Sequence, residues 1–347
     1  VITSLHGDCR DILQTLDERS VQAIITSPPY WRMRQYTDDP REIGQETTLA
    51  AYVAALADVC AACWRVLRDD GTLWINLGDA YANDGKWGGS TGGKHAGGLH
   101  GQSGPGRAKV STGLPPKSLI GLPWRVAFAL QDRGWVLRNE IIWHKTTCMP
   151  EGRLIDRFHR NHEPVFLFSK GARYFFDPDA LAEPTMISDR TQYRRAIELA
   201  QEAGLTEEHF AAIRSVGLTD TGKNQQTQTG TGKNAPAVQA LADEAKRVLG
   251  GYYREFLMAP TKGARTVWSI APEPLDDDHY APMPQELAER CIRAGSRPGD
   301  VVLDPFAGSG TTGRAALALQ RSAVLIDLSY QELQGRRTDG VQVEMFV

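Results

Sequence analysis

Val301 to Gly313 reads VVLDPFAGSGTTG. An apolar run ends in Asp304, three glycines follow, and a helical pattern opens at Thr311. A strand that feeds a Gly-rich turn and then a helix lets a ligand approach the turn's backbone closely. It also leaves the helix's first N–H groups without internal partners. Such a unit belongs in a sheet whose strands are joined through helices, with ligands held at the strands' carboxyl ends. Downstream, AVLID ends a second strand in Asp327, and an acid there can accept both hydroxyls of a ribose.

The rest of the chain repeats this alternation. VQAII from Val21 to Ile25 reads as a strand, followed by a helix from Thr48 to Arg68. After the turn DDG, TLWINLGD is a strand; a helix spans Leu122 to Asp132, and the strand VLRNEIIWHK follows. EPVFLFSK and RYFFD read as a hairpin, and DVVLDPF and SAVLID as strands around a helix from Thr311 to Gln320. The expected fold is α/β, with a mostly parallel sheet and an antiparallel hairpin at one edge.

Two segments depart from the pattern. Residues 83–114 are rich in Gly and Ser and carry Lys86, Lys94, Arg107 and Lys109. This composition is flexible and attractive to phosphate. From about Glu183 to Arg265 the composition turns polar and helix-forming, with two helices meeting near Gly204 and a third in PAVQALADEAKRVL. The organisation expected is one catalytic domain, 1–182 with 266–347, interrupted by a largely helical inserted subdomain, 183–265.

Composition limits the partners. The net charge of −3 does not advertise a polyanion, yet from Lys86 to Lys145 the basic residues are opposed only by Asp132 and Glu140. No membrane span is expected, since no apolar run approaches about 18 residues. VITSLHGDC lacks the regions of a secretory signal, and five cysteines form no disulfide framework. The location expected is cytoplasmic and nucleoid-associated, in a prokaryotic or phage-like setting. Cys60 and Cys63 form a CxxC inside a helical pattern, which reads as a core-facing helix rather than a metal site.

What the Gly-rich turn binds has more than one answer. Gly308, Gly310 and Gly313 satisfy GxGxxG, and Asp327 stands near the spacing of a dinucleotide fold, so a nicotinamide enzyme is one reading. A P-loop is excluded because no Lys follows the glycines. Asp304 and Phe306 favour a nucleoside with a charged amino-acid tail, the acid facing an ammonium and the ring bordering adenosine. S-adenosylmethionine has that form.

A second turn, TSPPYW from Thr26 to Trp31, ends the strand VQAII. Prolines lack an N–H, so the turn presents carbonyls with few internal takers. The Pro28 carbonyl and the Ser27 hydroxyl can accept from an incoming NH2, while Tyr30 offers a flat face. A flat group bearing an NH2 is a nucleobase.

Together, TSPPYW and DPFAGSGTTG resemble the amino-group DNA methyltransferases that act on cytosine N4 or adenine N6. The order, SPPY first and the glycine motif last, resembles the permuted β group. The likeness covers most of the chain outside Glu183–Arg265. His6-Gly7-Asp8, PPKSLIGLPWRVAFAL, RNEIIWHK and HYAPMPQELAERCI also look like parts of that framework.

The resemblance implies a Rossmann-like S-adenosylmethionine-dependent methyltransferase fold, with S-adenosylhomocysteine as product and no metal. It implies cofactor contacts at Asp8, Asp304, Phe306, Gly308, Ser309, Gly310, Thr311, Thr312 and Asp327. It implies catalysis at Ser27, Pro28, Pro29 and Tyr30, by direct in-line transfer to a base flipped out of double-stranded DNA. Trp31, Arg32, Arg34, Lys86, Lys94, Arg107, Lys109 and Lys145 are the candidate DNA contacts, with core packing open for Trp31 and ordinary surface charge for the arginines. Ser27, where many adenine enzymes carry Asp or Asn, points to cytosine N4; a hydroxyl donating to cytosine N3 is equally compatible with adenine N1. Adenine N6 is the alternative, and a non-catalytic DNA-binding relative a remote one. A cognate restriction endonuclease and the oligomeric state stay open.

Overall fold

The computed structural model describes residues 1–33, 35–82, 112–147, 156–184, 190–216, 236–257, 261–273, 283–329 and 343–346. Two compact units emerge: Val1–Ala180 with Arg265–Val347, and Leu181–Ala264.

The first unit is built on a sheet of nine described strands: β1 (Ile2–His6), β2 (Val21–Thr26), β3 (Leu67–Asn76), β4 (Val136–Lys145), β5 (His162–Ser169), β8 (Val267–Ile270), β9 (Val301–Asp304), β10 (Ser322–Asp327) and β11 (Val343–Phe346). Their order is β11-β1-β10-β9-β2-β3-β5-β4-β8. Strand β5 runs antiparallel to β3 and β4, and the other described pairs are parallel.

Helices cover both faces, and the two-residue alternation of the strands assigns them. Ile24, Leu303 and Ile326 face a core shared with α1 (Cys9–Thr15), α2 (Leu49–Val66) and α3 (Leu122–Asp132). Their neighbours Ala23, Leu325 and Ile2 face α7 (Gln285–Gly295) and α8 (Thr311–Ala318). Both helices approach closely. A Cβ on Gly295 would lie 2.6 Å from Thr72 Oγ1, and one on Gly313 would lie 2.8 Å from Leu325 Cδ1. The third glycine of the motif therefore serves helix-on-strand packing.

Helix α2 is long and apolar enough to cross a bilayer. It is a core helix instead: Tyr52, Leu56, Val59, Cys60, Cys63 and Val66 are buried on it. Burial pushes the Cys60 thiol up to about 12 and raises Cys63 too, so both pack as small hydrophobes.

Among its described residues the second unit contains β6 (Glu183–Pro184) and β7 (Thr261–Lys262), paired antiparallel, and the helices α4 (Arg190–Glu202), α5 (Glu207–Val216) and α6 (Pro236–Leu249). A 3₁₀ turn, Gly250–Phe256, follows α6. Ala196, Ala200, Ile213, Ala245, Leu249, Tyr253 and Phe256 form its own core, with Phe210 stacked on Phe256 at 4.3 Å. Gly204, at φ 67°, makes the left-handed turn between α4 and α5.

Three local expectations differ from the structure. The antiparallel strand is not at an edge: β5 lies between β3 and β4, and β8 forms the edge. RYFFD is not a strand; β4 is the hairpin partner of β5. The Phe175 and Asp177 N–H groups instead bond singly to the carbonyls of Asp70 and Ala294, tying this segment to β3 and α7. The DDG turn lies inside β3, where the β2 register jumps from Val21↔Leu67 to Ala23↔Thr72. Gly71 permits this bulge, because a Cβ there would meet Leu67 Cδ1 at 2.6 Å and the Gln22 carbonyl at 2.8 Å.

Candidate active site

Register brings the site together. The chain leaves the middle of the sheet in both directions, from β2 through α2 to β3 and from β9 through α8 to β10. Adjacent β2 and β9 thus form a topological switch point, where a crevice opens beyond the strand ends. Ile24 pairs with Leu303, Leu325 with Asp304, and His6 with Asp327. The residues that follow each strand, Gly7-Asp8, Ser27-Pro28, Pro305-Phe306 and Leu328-Ser329, converge at one level. All of them line one pocket.

Of the cofactor residues expected from sequence, Asp8, Asp304, Phe306, Gly308, Ser309, Thr311, Thr312 and Asp327 line this pocket, and Gly310 caps α8 at φ 78°. The two acids at the strand tips shape the glycine turn. Asp304 accepts from the Phe306 N–H at 3.0 Å and the Thr312 hydroxyl at 2.6 Å. Asp327 accepts from the Gly308 N–H at 2.7 Å and the Ser329 N–H at 2.8 Å. Burial pushes the Asp304 carboxyl up to about 6, the hydrogen bonds from Thr312 and Phe306 offsetting only part of it. Asp8 goes the other way. Burial alone would raise it, but hydrogen bonds from the Arg10 side chain and N–H, with the charges of Arg10 and Arg41, hold it below the usual range.

The proline turn lies against the same pocket, through Ser27, Pro28, Pro29 and Tyr30. Its two proline carbonyls differ. Pro29 accepts from the buried Tyr52 hydroxyl at 2.8 Å, whereas no described residue donates to Pro28. The Tyr30 hydroxyl donates to Glu163 Oε2 at 2.9 Å. Its ring lies against Gly78, where an added Cβ would fall 2.4 Å from Tyr30 Cε2.

The candidate DNA contacts separate. Trp31 is 8% exposed, donates its indole N–H to the Glu46 carbonyl and packs near Tyr52. Arg32, at φ 55°, braces its own loop through the Gln45 and Gly44 carbonyls. Lys145 is paired with Glu163 at 2.5 Å and sits 4.6 Å from the Trp143 ring centroid. Arg34, Lys86, Lys94, Arg107 and Lys109 lie outside the described residues, as does Tyr280 of the HYAPMP stretch. Met283 of that stretch lines the pocket.

Several site residues were not singled out from sequence. Glu42, buried, accepts from the Tyr36 and Thr37 N–H groups at 2.8 Å each and so folds the loop after the proline turn against the pocket. Asn76 and Glu163 bond Ser27 and Tyr30. The available signal was positional: each is a polar residue at the end of an apolar strand run, WIN and EPVFLF.

The candidate site is this crevice at the switch point, walled by the glycine turn with its two acids and by the proline turn. The profile of the DNA methylase family (N6_N4_Mtase) matches residues 21–335, and the chain belongs to this family of DNA methyltransferases. It is 35% identical to the Type II methyltransferase M.SmaI of Serratia marcescens over 323 residues, 93% of this chain and 85% of that protein. It is 31% identical to the Type II methyltransferase M.Cfr9I of Citrobacter freundii, covering 98% and 90%. Among solved structures it resembles a putative DNA modification methylase of Thermus thermophilus in complex with S-adenosyl-L-methionine (TM-score 0.53, 23% identity, covering 100% of both chains). It also resembles the cytosine-N4-specific PvuII DNA methyltransferase (TM-score 0.54, 16% identity, covering 98% and 86%).

Proposed function

We propose that this methyltransferase moves the methyl group of S-adenosylmethionine to the exocyclic N4 of cytosine in duplex DNA. The observation that carries the reading is the shared pocket: Ser27, Pro28 and Tyr30 line the same crevice as the glycine turn and its acids, and no described residue donates to the Pro28 carbonyl.

The donor set suits the cofactor. Asp8, Asp304 and Asp327 line the pocket together with the apolar Phe306, Ile43 and Met283; Asp327 and Asp8 would hold the sugar and base, and Asp304 would offer negative charge to the ammonium. When bound, S-adenosylmethionine supplies an electrophilic methyl on a sulfonium.

The chain's own residues prepare the nucleophile. An exocyclic amine is unreactive because its lone pair is delocalised into the ring. Ser27 and the Pro28 carbonyl accept hydrogen bonds from its two N–H groups, which favours a pyramidal nitrogen with a localised pair. Tyr30 stacks on the extruded base and holds it. Positioning supplies most of the acceleration. Ser27, where many adenine enzymes of the family carry Asp or Asn, favours cytosine; adenine N6 is the second reading, because the acceptor pair takes either amine.

The helical unit Leu181–Ala264, with its own core, is the proposed reader of the recognition sequence. The relatives named Type II methyltransferases support a role beside an endonuclease that cuts the same sequence unmethylated.

Incubation with duplex DNA and methyl-labelled S-adenosylmethionine tests the proposal. Label should enter the DNA, and DNA left unlabelled would overturn it.

A further inference from the structure

We propose that Asn76 and Glu163 are positioning residues of the transfer site: a hydrogen-bond chain from Lys145 makes the Ser27 hydroxyl a pure acceptor toward the base and locks the Tyr30 ring. The inference rests on the reading that Ser27 and Tyr30 receive a base.

Counting protons along the chain gives each hydroxyl one direction. Glu163 Oε1 accepts from the Lys145 ammonium at 2.5 Å. Glu163 Oε2 accepts from the Tyr30 hydroxyl at 2.9 Å and from Asn76 Nδ2 at 3.3 Å. Asn76 Nδ2 also donates to the Pro164 carbonyl at 3.2 Å. Both of its partners are acceptors only, so the amide has one sensible orientation.

Asn76 Oδ1 therefore faces the other way, 3.4 Å from Ser27 Oγ and 3.4 Å from Tyr30 Oη. It can only accept. Tyr30 has a single proton, and the carboxylate is its nearer partner. Burial and the Glu163 carboxylate push the phenol well up, which keeps that proton on Tyr30. Asn76 Oδ1, with the lone pairs of the Tyr30 oxygen beside it, is left for the Ser27 proton.

A serine whose proton is directed inward offers only lone pairs to the pocket. It accepts an N–H of the base amine and does not donate to the base's ring nitrogen. This differs from the sequence expectation of a hydroxyl shared with N3. It also removes Ser27 as a donor that would read N3 of cytosine or N1 of adenine. The same chain fixes Tyr30 at its tip through Glu163, while Gly78 supports the ring's flank. Asn76 is 2% exposed, so its amide is held by these partners in a low-dielectric setting.

The test is single-turnover methyl transfer to duplex DNA by full-length Glu163→Gln and Asn76→Leu, alone and combined with Tyr30→Phe. The Glu163→Gln side chain would have one acceptor oxygen where the carboxylate uses two. Each single variant should transfer about 100-fold more slowly, with cofactor and duplex affinity within about twofold of wild type. Glu163→Asp, which keeps both oxygens, should recover part of the rate. In a Tyr30→Phe background, Glu163→Gln should cost less than about 10-fold, because one arm of its action is already gone. Should Glu163→Gln not fold, the Tyr30→Phe and Asn76→Leu pair carries the same cycle. A wild type that methylates DNA while both single variants keep its rate, or losses that multiply in full, overturns the inference alone. A wild type that leaves DNA unmethylated overturns the proposed function and this inference with it.

Discussion

Asp327, the last residue of β10, accepts the backbone N–H of Gly308 at 2.7 Å and so closes the glycine turn that follows β9. One acid both shapes the turn and faces the pocket. A hydrogen bond to a charged group contributes about 1.5–3 kcal/mol. Asp327→Ala should therefore weaken S-adenosylmethionine binding by about 10- to 100-fold in calorimetry. Asp327→Asn keeps an acceptor for Gly308 and should fall between. Unchanged affinity in the alanine variant would mean that neither function is real.

Asp304 gives the site a pH dependence. Its carboxyl titrates at about 6, above the ordinary 3.8. A raised acid lowers the free protein's stability once it ionises: this group's contribution is complete below pH 3.8 and lost as pH rises through about 6. A cationic ligand works in the opposite sense, since it prefers the ionised form. Cofactor affinity should be level at neutral pH and fall by up to about tenfold per unit below about pH 6. Asp304→Asn should bind weakly and without that slope. A wild-type affinity constant from about pH 5 to 8 would refute the assignment.

Gly78 makes a test of Tyr30 that leaves the tyrosine in place. An alanine Cβ there would lie 2.4 Å from Cε2 and 2.9 Å from Cδ2 of the ring. The ring must move, at a cost of about 1–3 kcal/mol in packing. Gly78→Ala and Tyr30→Ala should both slow turnover by about 100-fold while sparing cofactor affinity. Full-rate transfer by Gly78→Ala would show that the ring's placement is immaterial.

The helical unit Leu181–Ala264 has a separate core, so its exchange need not disturb the sheet. Replacing it with the matching segment of a relative should change which sequence is methylated and leave the methylated atom the same. A chimera that still modifies the original sequence would place recognition elsewhere.

The site was legible in the sequence where its chemistry is local. The turns TSPPYW and DPFAGSGTTG announce themselves because Pro, Gly and Asp punctuate a strand end within a few residues. Asp327 was readable for the same reason. The Asn76–Glu163 bond was not, because the two residues are 87 apart and meet only through the antiparallel β3–β5 register. Trp31 shows a different limit. Aromatic character next to a motif does not say which way a ring faces, and its indole is packed beside Tyr52. RYFFD was misread because its apolar composition suits a strand, while its backbone bonds go singly to Asp70 and Ala294. The DDG turn was misread because a glycine bulge within one strand and a turn between two elements share the same residues.

Nucleoside analysis by mass spectrometry, on duplex DNA methylated by the protein, identifies the atom that receives the methyl group. N4-methylcytosine as the modified nucleoside is the predicted result. N6-methyladenine in its place would contradict the assignment of the base, and DNA with no methylated nucleoside would contradict the account of the site.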